Sequence, residues 1–460
     1  MDNQFQKSNL IIVLLMLAFA ACGLLVQYMQ ERAAGSQVLN IYCWDETFPA
    51  LLAEYYPAYD PETQHIGPVQ VNWFIAPEIG NGYQMELDKA LSQQDSVEQT
   101  ARIDLFLAEA DYVRKYTGSD KYTLSLAELG IGEDDLREQF PYTLQAARDG
   151  DGILRGIAWQ STPGVMLYRR DMALEILGTD DPAAVHAATK DWQSFDDMAG
   201  KVQEIGGTML AGYEDTYRLF SSNRQQGWLQ GEEITLAPAL QQWVEQTRRF
   251  AEQKKLLPNR MWTSGWSEAV HGRTFCYFGP AWLINEAFMR LSLRTPLEQG
   301  GRLEKGNGTY GLWGVCEAPQ PFFWGGSWLC AAKGTDNREL IADIMRTLCC
   351  SDATAWAMTS GQQIHFVNNQ QIMAKRAADP SIGVPFLAGQ NPYPVMLRTA
   401  YEMPDPTWQM TPYDQGMHHS FHSACIPYFQ GQASWSLTWQ RFLATVWFKH
   451  PELQDKSFIE

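Results

Sequence analysis

His418 and His422 stand four residues apart, the spacing that puts two imidazoles on one helix face as zinc binding requires, with His419 between them. No HExxH motif and no nearby cysteine–histidine set completes such a site, so the three read as a polar helix face and no metal is expected. Glu109 and Asp111 form a second suggestive pair. A glycosidase needs two carboxylates across one glycosidic bond, and a spacing of two at a single strand end does not supply that separation. GxSxG, P-loop and dinucleotide fingerprints are absent, so no catalytic residue and no cofactor is expected. What stands out is non-covalent: 17 Trp, 19 Tyr and 21 Phe. Each Trp and Tyr couples a flat apolar face to a polar tip. Core packing is the commoner role for any one Trp, but the excess favours a carbohydrate or aromatic ligand.

The thiols divide into one special cysteine and a set of ordinary ones. Leu10 to Val26 is a single apolar run, and within it Phe19-Ala20-Ala21-Cys22 has small residues before a cysteine. That arrangement resembles a bacterial lipobox, whose cysteine is lipidated and becomes N-terminal after cleavage. The alternatives are an uncleaved anchor helix and a secreted form; all three carry the rest of the chain across a membrane. The reading adopted is a lipoprotein on the outer face of the cell membrane, acylated at Cys22. The other seven cysteines show no CxxC pair and no zinc pattern, and adjacent Cys349 and Cys350 cannot bridge without strain. Free thiols in an exported protein point to a low-oxygen habitat.

The 460 residues carry a net charge of -18. An acidic body repels phosphate backbones, which excludes nucleic acid as a partner, and it offers no polybasic patch to anionic lipid. Hydrophobic residues at 45% and charged residues at 19% describe a folded protein with material for two cores.

The elements that must position any site alternate. Residues 27–36 read as a tether. A strand over 38–43, a helix over 48–56, an alternating strand over 69–75, a helix over 82–94 and a strand over 103–107 follow one another. That order is the grammar of a parallel sheet with crossover helices. Further on come helices over 191–206, with Ser194 and Asp197 at capping-box spacing, and over 239–254. A buried strand over 274–278 turns at Gly279-Pro280 into a helix holding Trp282. A strand over 328–332 precedes a helix from Asp336 to Leu348. Trp435, Trp439, Phe442, Leu443, Val446 and Trp447 make one helical stripe.

This order resembles the extracytoplasmic solute-binding proteins of carbohydrate ABC importers, the family that includes maltose-binding protein. The landmarks are Tyr42-Cys43-Trp44-Asp45-Glu46 at the end of the first strand and the run from Ile103 to Asp111. Gly156-Ile157-Ala158-Trp159-Gln160 through Asp171, Gly272 through Trp282, and Phe323-Trp324-Gly325-Gly326-Ser327-Trp328 complete the set. The resemblance implies an α/β, two-lobed periplasmic-binding-protein-like fold (type II). Each lobe would be a mainly parallel sheet flanked by helices, with the ligand cleft at the hinge. The lobes would comprise residues 37–158 plus 312–366, and 159–311 plus 367–460, after a signal segment 1–22 and a tether 23–36.

The implied function is that of the substrate-binding component of an ABC importer. It would capture a sugar or oligosaccharide outside the membrane and deliver it to the permease by hinge closure, as a monomer and not as an enzyme. A sensor subunit of a membrane receptor and an exported glycoside-acting enzyme are the alternatives. The resemblance sets Trp44, Asp45, Asp111, Trp282, Trp324 and Trp328 against the ligand, joined by Tyr213 and Asp215 and by Tyr413 and Asp414 from the second lobe. Each has a plainer alternative. Asp45 and Asp111 would serve as helix caps, and Trp328 and Trp282 as core.

Overall fold

A computed structural model describes residues 38–77, 82–231, 233–361, 363–405, 410–454 and 457–459. Cys22, its apolar run and the tether lie outside these residues. The chain divides into two compact units, one running to Phe106 and including Ala331–Ile344, the other made of Leu107–Cys330 and Met345–Glu460.

The first unit carries five strands: β1 (Val38–Cys43), β2 (Tyr59–Asp60), β3 (His65–Ile66), β4 (Val69–Ile75) and β5 (Leu105–Glu109), the last of which runs on into the second unit. They lie in the order β2-β3-β4-β1-β5, and β1 is parallel to both β4 and β5. The crossover helices are Thr47–Tyr55 and Gly82–Ser92, as the alternation of elements predicts. Leu39, Ile41 and Cys43 are buried along β1 at period two. Just before β5, Asp104 is a buried carboxylate. The Asn40 amide donates to it at 2.8 Å, the Thr335 hydroxyl at 2.5 Å and the Asn337 side-chain amide at 3.1 Å. Burial pushes its pKa up to about 6.

The second unit departs from the expected parallel pattern. After β6 (Ile157–Ala158), β7 (Val165–Arg169) is antiparallel to both its neighbours, β10 (Cys276–Gly279) and β11 (Trp313–Cys316). The connections between these strands are long and contain several helices, so no short crossover forces a parallel return. A small sheet of β8 (Leu229–Gln230), β9 (Glu233–Thr235) and β13 (Ser457–Ile459) and the pair of β6 with β12 (Ser327–Ala331) complete the strands.

The core of this unit is aromatic and lies among the helices Pro238–Glu252, Asp414–Phe429 and Trp435–Lys449. Trp228 meets Phe421 and Phe442 at 5.3 Å each, and Trp439, Phe442, Leu443 and Val446 are the buried part of the predicted stripe. Burying each such side chain stabilises the fold by roughly 2 kcal/mol.

Two local expectations shift. The helix Trp192–Glu204 is capped by Asp191, which accepts the Ser194 amide at 2.8 Å; Ser194 lies inside the first turn. The histidine face of Asp414–Phe429 is not a polar surface. His418 is buried and His422 lies 3.9 Å, edge to face, from the Tyr217 ring. Burial pushes both far below the ordinary imidazole value, so both are neutral. Among the described residues no group of His, Cys, Asp and Glu could hold a metal ion, and no helix is long and apolar enough to cross a membrane.

Candidate functional site

Three tryptophans from distant parts of the second unit meet. β10 ends at Gly279, where a Cβ would lie 2.2 Å from Leu283 Cδ2, so glycine alone lets the strand turn tightly into the short helix Ala281–Leu283. That helix presents Trp282, whose indole N–H donates to the Trp324 carbonyl at 3.0 Å. The two rings stand 5.1 Å apart at 73°. Trp262 joins them from a loop, 6.5 Å from Trp282 and nearly parallel to it at 22°, and 6.0 Å from Trp324. Trp262 is 55% exposed and has φ 64°, a left-handed conformation that a bulky side chain rarely adopts. Holding it there costs about 1–2 kcal/mol, and such costs collect where function requires a fixed geometry.

Beside this wall lies a paired acid and base. Arg218 donates through both Nη atoms to Asp111, at 2.6 Å and 2.7 Å, and its guanidinium lies over the Trp324 ring at 5.7 Å. The Asp111 amide in turn donates to the Glu109 carboxylate at 2.7 Å. Burial opposes charge on Asp111, but the attraction and hydrogen bonds of Arg218 outweigh it and hold the carboxyl well below the usual range. A second pair lies deeper. Arg224 donates to Asp414 at 3.0 Å, and the Thr411 hydroxyl donates to the same carboxylate at 2.5 Å. There burial prevails over Arg224, and the Asp414 pKa is raised. A small hollow is lined by Asp111, Arg218, Ser222, Arg224, Phe323 and Asp414, among others. Two cations and two anions leave it without net charge, yet rich in donors and acceptors.

The residues proposed from sequence therefore separate. Asp111, Asp414, Trp282 and Trp324 lie in or beside this hollow and wall. Asp111 is engaged with Arg218, and the helix after it, Val113–Thr117, has no side-chain cap. Tyr413 is half-buried and meets His450 edge-on at 5.1 Å. Three others belong to the body of the unit. Trp328 is 1% exposed in β12 and donates to the Thr143 carbonyl at 2.9 Å. Tyr213 is buried and stacked on Phe429 at 5.6 Å. Asp215 is buried and accepts the amides of Ala211 and Gly212 and the indole N–H of Trp266, all within 2.8 Å. In the first unit, Trp44 is half-buried and edge-on to Tyr83 at 5.6 Å. Asp45 is exposed and accepts the Thr47 amide at 2.9 Å from the position before Glu46, the N-cap of the helix. Sequence reasoning missed Arg218, Arg224 and Trp262. Trp262 carried one visible signal, a bulky aromatic in a polar segment, Asn259-Arg260-Met261-Trp262-Thr263-Ser264.

Known proteins give this geometry a context. A family model described as bacterial extracellular solute-binding protein matches residues 62–366. The chain belongs to that family. The solved structure of an extracellular solute-binding protein of family 1 superposes on this solute-binding protein with a TM-score of 0.70 at 16% identity, covering 89% of this chain and 98% of the other. The galacto-N-biose-/lacto-N-biose I-binding protein of Bifidobacterium longum, in complex with lacto-N-biose, gives 0.63 at 12% identity, with 92% and 98% covered. An ABC transporter associated binding protein of B. animalis subsp. lactis, in complex with β-1,6-galactobiose, gives 0.63 at 14%, with 92% and 100% covered. No curated protein sequence matches. The solute-binding protein thus has the α/β fold of the two-lobed periplasmic-binding-protein-like class, and its family and these neighbours are binding proteins.

Proposed function

We propose that the solute is an uncharged sugar or oligosaccharide and that the protein delivers it to an ABC permease. The observation that carries this reading is the meeting of Trp262, Trp282 and Trp324 with the Arg218–Asp111 pair, the guanidinium lying over Trp324. A pyranose has an apolar C–H face that stacks on indole and a rim of hydroxyls that pairs with charged donors and acceptors. The charge-balanced hollow and its neutral His418 favour a neutral ligand over an anionic one. The neighbours' bound lacto-N-biose and β-1,6-galactobiose support the same class.

In this reading Trp44 and Asp45 contribute from residues 37–158 plus 312–366, and the lobe of residues 159–311 plus 367–460 closes by hinge motion as a monomer. Acylation of Cys22 anchors the chain to the outer face of the membrane, so the chain should incorporate labelled palmitate and Cys22→Ser should abolish that label. The main test is calorimetric titration of the full chain with maltose, lacto-N-biose and β-1,6-galactobiose, with tryptophan emission followed in parallel. Saturable binding with an emission change is expected. A flat response from folded protein across a wider sugar panel defeats the carbohydrate reading.

A further inference from the structure

The loop bearing Trp262 is fastened at one point. Glu214, itself buried, accepts the Met261 amide at 2.6 Å and the Arg260 guanidinium at 3.2 Å, so its carboxylate grips the two residues before the left-handed Trp262. The same loop is pressed against the segment leading to Glu214. The Tyr213 amide donates to the Asn259 carbonyl at 3.1 Å, and the Asn259 side chain donates to the Ala211 carbonyl at 3.0 Å. A Cβ on Gly212 would lie 2.8 Å from the Asn259 carbonyl oxygen. Next to Glu214, Asp215 fixes the indole of Trp266, whose ring backs Trp262 at 5.3 Å.

We infer that Glu214 is the positioning residue for Trp262. It does not meet the solute; it holds the loop in the strained turn that aims an exposed indole at Trp282 and Trp324. A strained exposed aromatic relaxes unless neighbouring bonds over-determine it, and the Met261 amide bond next to the φ 64° residue is placed to do that. The inference deepens the sugar-binding reading and rests on it for its effect on affinity, but not for its effect on the loop.

The test uses the full chain labelled with 5-fluorotryptophan. The Trp262 fluorine resonance is identified by its loss in Trp262→Phe. Glu214→Ala should shift and broaden that resonance while the buried Trp439 signal stays in place. Glu214→Gln, which keeps an acceptor for the Met261 amide, should restore most of the native spectrum. An unchanged Trp262 resonance in Glu214→Ala overturns the proposal. If Glu214→Ala does not fold, Arg260→Ala, which removes a half-exposed side chain, should give a smaller shift of the same resonance, and no shift overturns it equally. Where maltose or β-1,6-galactobiose binds the wild type, Glu214→Ala should weaken binding about 10-fold, but less than about 2-fold when Trp262→Ala is already present. Equal losses in both backgrounds contradict action through Trp262. If neither sugar binds, the fluorine spectra alone decide the role of Glu214, and the wider sugar panel decides the sugar reading.

Discussion

The two arginine–aspartate pairs of the second unit have the same chemistry and opposite settings. Arg224 and Asp414 each leave 4% of their side chain exposed and share one bond at 3.0 Å. Arg218 and Asp111 are 21% and 16% exposed, share two shorter bonds and border the tryptophan wall. Their carboxyls shift in opposite directions, Asp414 upward where burial prevails and Asp111 downward where the bidentate guanidinium prevails. The nearly buried pair contributes mainly to folding, and the more exposed pair is available for binding.

The largest effect should come from breaking the deep pair. Arg224→Met leaves Asp414 buried without its cation and should cost about 3 kcal/mol or more in urea denaturation, whether or not sugar is present. A loss under about 1 kcal/mol would mean that depth does not separate the pairs. Asp111→Asn should do the reverse. Stability should fall by less than in Arg224→Met, while affinity for whichever sugar binds should fall by about 100-fold in calorimetry.

The smallest effect sharpens the comparison by asking what a buried carboxylate does without an arginine. Asp104 has its pKa raised to about 6 from the ordinary 3.8. The fold keeps a proton that the unfolded chain has released, so stability falls as pH rises from about 4 to 7 and then levels off. Between pH 5 and 7 the change is about 1 kcal/mol. Asp111, shifted downward, contributes its stability above the ordinary carboxylate value and loses it only on acidification below that value. Asp104→Asn should therefore flatten the decline in urea midpoint between pH 5 and 7. An unaltered slope would show that Asp104 titrates normally.

The parts legible in the sequence were those that local pattern determines. β1 and β4 follow from alternation, and the Gly279-Pro280 turn follows from residue type, which placed Trp282 correctly at a helix start. The Arg218–Asp111 pair spans 107 positions, and nothing around Arg218 sets it apart from other arginines until the chain has folded. The family resemblance alone set Tyr213 and Asp215 against the ligand. Folding instead turned Tyr213 into core and directed Glu214 and Asp215 onto neighbouring backbone and indole groups. The antiparallel β7 escaped notice because strand direction is a property of long connections, which periodicity does not encode.

The seven cysteines of the described residues are all free, six of them buried, and burial raises every one of their thiols, Cys43 and Cys350 to about 12. Against an ordinary thiol, a value near 12 leaves roughly a thousandth of the reactive thiolate at neutral pH. The described residues therefore behave toward alkylating probes almost as a cysteine-free scaffold. One cysteine introduced on their surface would take a maleimide dye selectively over these seven thiols.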